Sequence, residues 1–212
     1  MKHQTIAYKY KEANATMRNK IFTEHGIRWT PLLRLPYMDL QRFTIIDPMH
    51  NLYLGTAKRI MKKWTSGNQP LISIHDLKNI QAIINATPPP SDIGCIPFKI
   101  VSQFAGFTAD QWKSWCLIYS TLALRNILSE EHRQYWQSFI DCLSLWGQTI
   151  VTYEEIVYGD LAMKDFLIKI KSVWGPEIVS PNMHMHLHIK DCMLDYGPLY
   201  SFWRFPFERL NG

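Results

Sequence analysis

Two acidic residues stand in surroundings that could do chemistry. The first is Asp47, in the string Asp47-Pro48-Met49-His50-Asn51-Leu52, where it closes a β-branched and aromatic run and opens a helical pattern. A carboxylate at such a junction points in a fixed direction over a cleft, and His50, one turn into the helix, lies beside it. The second is Glu208, in GPLYSFWRFPFERLNG over 197–212, among Phe202, Trp203, Phe205 and Phe207. Burial of an unpaired charge is costly, so a carboxylate in this company is near a surface or held in a partly dry site. Each acid also has a plainer role open to it. Asp47 serves equally as the cap of the helix that follows, and Glu208 as the partner of Arg204 or Arg209 on a solvated face.

A third group is His184, His186 and His188. On a helix, His184 and His188 share a face with Asp191 and Cys192, a spacing suited to zinc. On a strand, all three histidines share a face. No CxxC accompanies them, so packed and hydrogen-bonded histidines under a sheet are the expected state, and zinc at His184 and His188 is not. Cys95, Cys116, Cys142 and Cys192 are widely spaced and read as buried, reduced thiols.

The elements that must position these residues follow from periodicity and breakers. Residues 4–24 lack proline and glycine and read as a helix ending at Gly26; 28–40, with two prolines, reads as a loop. Arg42–Asp47 (RFTIID) reads as a short buried strand with Asp47 at its end. From Met49 to Trp64 the apolar residues recur at helical spacing. Ile74–Ala86 reads as a helix stopped by the stiff TPPPS connector of 87–91. Three helices then follow near 108–128, 129–150 and 152–174, whose tryptophans and other aromatics read as core rather than as a platform for bases. Ser180-Pro181 opens a last helix that Gly197-Pro198 closes.

Charge is unevenly placed. Residues 1–70 hold 12 Lys or Arg against 4 Asp or Glu, a balance of +8, and the remainder is −3. A basic segment is what a polyphosphate partner selects, because each neutralised phosphate releases counterions. Lys58, Arg59, Lys62 and Lys63 are the candidate contacts to such a partner. The chain carries no apolar run long enough to span a membrane and no signal-peptide pattern at Met1-Lys2-His3-Gln4, so an intracellular location is expected, with no membrane partner.

Taken together, the strings point to a family. DPMHNLYLGTAK, preceded by RLPYMDLQRFTII, resembles the segment around an Asp-x-x-His in CACTA-type (En/Spm-like) DNA transposases. GPLYSFWRFPFERLNG is similar to a GP(V/L)-x-x-x-W-x-(F/Y)-P-F-E-R string near the C-terminal end of that region and its adjoining domain of unknown function, and MHMHLHIKDCMLDYGP to the lead-in before it. The likeness is anchored over 27–64 and 180–212, with the middle unspecific.

The resemblance implies a predominantly α chain with a short residual sheet: a partial RNase H-like core carrying a large all-helical insertion. Residues 1–66 would supply the strand-helix part of the core, 67–179 the insertion and 180–212 the closing helices. It implies an acid triad holding Mg2+ or Mn2+, with Asp47 as the second acid, His50 completing the Asp-x-x-His and Glu208 as the third acid. Two such ions, about 3.5–4 Å apart, would activate the nucleophile and stabilise the leaving oxygen in strand cleavage and transfer. The expected setting is the nucleus, and the partners are double-stranded DNA at transposon ends and, as a further option, a second copy, with no small-molecule substrate. The family's first acid lies upstream of the part matched here, so the sequence reads as a fragment inactive alone. The alternative is a non-catalytic, transposon-derived helical domain that binds DNA or protein.

Overall fold

The computed structural model describes residues 2–89 and 96–207, the side chains of Lys2, Leu40 and Gln41 excepted. It divides into two compact units, Met1–Thr44 and Ile45–Gly212.

In the first unit the helix expected over 4–24 is two helices, α1 (Lys2–Glu12) and α2 (Ala15–His25). The break is made by Asn14, whose side chain accepts the Met17 N–H at 3.0 Å and so caps α2. Arg18 donates to the carbonyls of Tyr10 (3.1 Å) and Lys11 (2.7 Å), which satisfies acceptors that the end of α1 leaves open. Gly26 ends α2 at φ 67°, a left-handed turn that costs glycine least, and sends its N–H to Phe22 O. In the loop beyond, the Trp29 ring lies 5.3 Å from both Lys11 Nζ and the Arg34 guanidinium carbon. A short turn, α3 (Leu40–Phe43), closes the unit.

The second unit begins with a helix in two parts, a π-helical stretch Met49–Ala57 that continues as α4 (Lys58–Thr65). It is followed by α5 (Ile74–Ala86), α6 (Ile100–Gln103) and α7 (Ala109–Ser114). A second π-helical stretch, Trp115–Tyr119, carries α7 into α8 (Ser120–Leu124). Then come the two longest helices, α9 (Glu130–Trp146) and α10 (Tyr153–Trp174), and finally α11 (Pro181–His184), a 3-10 turn Met185–His188, and α12 (Ile189–Tyr196). Reciprocal capping boxes at Ser73/Asp76, Thr108/Gln111 and Thr152/Glu155 start α5, α7 and α10.

α9 and α10 form an antiparallel hairpin at the centre of this unit. Their register is set by Trp146 Nε1 donating to Ile156 O (3.1 Å), Ser138 Oγ to Asp165 (2.6 Å) and Trp174 Nε1 to Tyr135 Oη (3.2 Å). Gly159 is buried beneath the Trp146 indole, and a Cβ there would collide with that ring. Tyr135 binds α4 to the hairpin, since its hydroxyl also accepts Trp64 Nε1 at 2.6 Å, and burial pushes its pKa up to about 12. Around these residues the buried rings of Trp136, Phe139 and Phe166 fill the core. The aromatic middle is therefore packing, as its spacing suggested.

The residual sheet does not form: the described residues contain helices, turns and coil and no β-strand. Instead of a strand over Arg42–Asp47, residues 40–43 make a helical turn and 44–47 run as coil into the next helix. The β-branched pair is split between environments, Ile46 buried and Ile45 exposed. A strand needs a neighbour to take its N–H and C=O groups, and this run has none among the described residues.

Candidate functional site

The site is built at the start of the Met49–Ala57 segment. Asp47 accepts the Met49 N–H on Oδ1 (3.2 Å) and the His50 N–H on Oδ2 (3.4 Å), while its own carbonyl takes the Asn51 N–H at 3.0 Å. That is how a carboxylate closes the start of a helix. Its Oδ2 also bonds the His50 ring at Nδ1, and its Oδ1 takes the backbone N–H of Arg204 at 3.2 Å. Because Asp47 accepts at Nδ1, the Nδ1 atom of His50 is the protonated one. Four N–H donors thus meet one carboxylate, which offers about four lone-pair sites. The Asp47 side chain is mostly covered and that of His50 half exposed.

Past this junction the same helix face receives the 180–188 segment. Asn51 and Asn182 clasp each other: Asn51 Nδ2 donates to Asn182 O (2.9 Å) and Oδ1 (2.7 Å), and Asn182 Nδ2 donates to Asn51 O (3.0 Å). Gly55 allows the approach, since a Cβ there would run into the Asn182 amide. One turn on, Thr56 Oγ1 meets His186 Nε2 at 3.0 Å, both residues fully buried. The His186 ring packs against both Phe139 and Phe166, each 6.3 Å away, and burial pushes its pKa down to about 3, so the ring is neutral. The 197–207 string closes the cluster, with Phe205 buried 6.0 Å from the Tyr53 ring and Lys113 Nζ of α7 4.6 Å from the Trp203 ring.

The sequence-predicted residues fare differently. Asp47 and His50 are brought together, with Asp47 taking the capping role. Glu208 lies outside the described residues, as do Arg209 and Cys95. The histidine segment is helical, and it splits: His184 and His188 are exposed, with ring centroids 5.6 Å apart and His188 3.9 Å from Asp191, whereas His186 is core. Among the described residues no three His, Cys, Asp or Glu side chains are placed to hold one metal ion. Cys116, Cys142 and Cys192 are free, buried thiols, and burial raises the pKa of each.

Arg59, Lys62 and Lys63 occupy the exposed face of α4, at i, i+3 and i+4, and Lys58 is half buried. Lys63 Nζ stands 4.5 Å over the Trp174 ring, which props α4 against the end of α10. Arg59 reaches toward Ile178 O at 3.5 Å.

Comparison of the chain with family models, with curated proteins and with solved structures gives no match. No described helix is long and apolar enough to cross a membrane.

The residues that sequence reading missed are Asn51, Gly55, Thr56 and Asn182. Each is small or neutral and lies inside or beside a string already singled out. The signal in the helix was the polar pair Asn51 and Thr56, at i and i+5 in an otherwise apolar stretch, a pattern that calls for polar partners.

Proposed function

We propose that this chain is a helical part of a CACTA-type DNA transposase that grips double-stranded DNA through the exposed cations of α4, in the nucleus and at transposon ends. One observation carries the reading. The string at 47–58 is separated by more than a hundred residues of unspecific sequence from the resembling stretch at 180–212, yet it locks onto the described part of that stretch through Asn51–Asn182, Thr56–His186 and Asp47–Arg204. Chance likenesses at two ends of a chain give no reason for this.

The RNase H-like core and its acid triad belong to the same proposal as properties of the intact enzyme. Mg2+ or Mn2+ demands carboxylate oxygen, and the described residues do not fit such an ion. Asp47 already holds four N–H donors, so a metal could bind it only by displacing His50 or the Arg204 amide. In the state described, Asp47 organises the junction, and no cleavage step is assigned to it. Glu208 lies outside the described residues. Its role as third acid rests on the resemblance.

The alternative is a non-catalytic, transposon-derived helical domain that binds DNA or protein, and duplex binding is the property that both readings share. Its test is fluorescence anisotropy of a labelled duplex titrated with the whole chain between about 50 and 200 mM salt. Replacing Arg59, Lys62 and Lys63 by Ala is expected to weaken binding and to lower the slope of log K against log salt by about 2–3, close to 0.9 per phosphate contact. Asp47→Ala is expected to leave that slope unchanged. Absence of duplex binding at about 50 mM salt, or a slope indifferent to the triple variant, overturns the proposal.

A further inference from the structure

α10 packs against α9, α12 and the Met185–His188 turn, and one face of it is left open. The face opposite α9 carries Tyr158, Leu161 and Ile168, exposed by 62%, 54% and 68%, on the longest helix of the chain. Single exposed apolar residues call for no explanation, but three on one stripe of one helix do. Glu154, Val157, Leu161, Lys164, Ile168 and Lys171 recur at alternating steps of three and four residues, the seam spacing along which two helices pack with side chains interlocked.

The sequence of this seam is complementary to itself when reversed. About a two-fold axis between Ala162 and Met163, Glu154 meets Lys171 of the second copy, Val157 meets Ile168, and Leu161 meets Lys164. The two outer layers then pair opposite charges at both ends, and the next two pair apolar residues. The central layers pair Leu161 with the methylene stem of Lys164, whose ammonium is drawn back onto buried Asp160 at 2.7 Å. Tyr158 flanks the seam on the side of Asp165. A parallel arrangement would set Glu154 against Glu154 and Lys171 against Lys171, so the charges select the antiparallel one.

We infer that α10 is a homodimer interface, in which a second copy of this chain packs antiparallel along the Glu154–Lys171 seam. The helix has 22 residues and is about 33 Å long, so the contact is a small one and its Kd is expected at about 1–100 µM.

Sedimentation equilibrium of the purified chain from about 1 to 200 µM measures it. The expected result is a monomer–dimer equilibrium that Leu161→Glu with Ile168→Glu abolishes, with the helical circular dichroism unchanged. Both positions are solvent-exposed in the monomer, so these substitutions spare its fold. Glu154→Lys and Lys171→Glu are each expected to weaken the dimer about tenfold or more, by placing like charges face to face, and the two together to restore it. A monomer across the whole range overturns the inference. So does a dimer indifferent to the Glu substitutions, or a double charge exchange that fails to rescue.

Discussion

Replacing Asn51 by Ala breaks two of the hydrogen bonds that join the first and second strings and leaves Arg59, Lys62 and Lys63 in place. The Asn51 amide donates two hydrogen bonds, at 2.9 and 2.7 Å, to the carbonyl and side chain of Asn182, from a position only 4% exposed. Each such bond contributes about 1 kcal/mol net, and the partly buried acceptors left on Asn182 add a desolvation cost of about 1 kcal/mol. The loss is therefore about 2–3 kcal/mol, or about 5–10 °C in Tm for a chain of this size. Urea denaturation of wild type, Asn51→Ala, Asn182→Ala and the double variant closes a cycle. A coupling of about 1–2 kcal/mol is expected from residues in direct contact. Gly55→Ala sharpens the test, since its methyl group strikes the Asn182 amide. It should destabilise the wild type and cost less once Asn182 is Ala, with a remainder left because the methyl group also meets the His50 carbonyl oxygen at 2.9 Å. The reasoning is refuted if Asn51→Ala costs under about 0.5 kcal/mol, or if the two asparagines are simply additive.

Three further outcomes are expected. Gly159→Ala drives a methyl group into the buried Trp146 indole, and overpacking of this kind should cost about 1–3 kcal/mol, read from the urea midpoint. Asp47→Ala should cost about 1–2 kcal/mol through loss of the helix cap and should change the amide exchange of Arg204. The third concerns acid. His186 is neutral in the fold, with its pKa pushed by burial from 6.5 to about 3, so below pH 6.5 the unfolded chain takes up a proton that the folded chain refuses. Stability is complete above pH 6.5 and falls toward pH 3, by up to about 5 kcal/mol at 1.4 kcal/mol per unit. His132, whose pKa burial also lowers, acts in the same direction. Urea midpoints between pH 7 and 4 should fall steadily, and a flat profile would contradict the neutral, buried state of His186.

Most helices were legible because their ends carry chemistry that acts locally. Ser73, Thr108, Thr152 and Ser180 cap as their side chains allow, and Gly26, Gly175 and Gly197 stop helices at positive φ. Asn14 carries the same chemistry, and its position inside an alanine- and lysine-rich run hid it. The strand over Arg42–Asp47 was misread for a different reason. β-branched residues favour a strand only when another strand takes their backbone groups, and no local pattern reveals whether one is present.

The site was half legible. The pairing of Asp47 with His50 follows from a three-residue spacing on a helix, and the structure bears it out. The clasp of Asn51 to Asn182 could not be read in the same way, because it depends on two positions 131 residues apart and on a glycine whose purpose appears only when its neighbour is in place. The donors that Asp47 collects depend on the same long-range folding. The amide of Arg204 arrives from 157 residues away and completes the carboxylate's set of donors.

The convergence of the three strings is tested most directly by nuclear Overhauser effects in the isotope-labelled chain. The expected cross-peaks join the side-chain amides of Asn51 and Asn182, the methyl group of Thr56 with the ring of His186, and the rings of Tyr53 and Phe205. If these residues are assigned and the contacts are missing, the strings do not meet, and the transposase reading loses the observation that supports it.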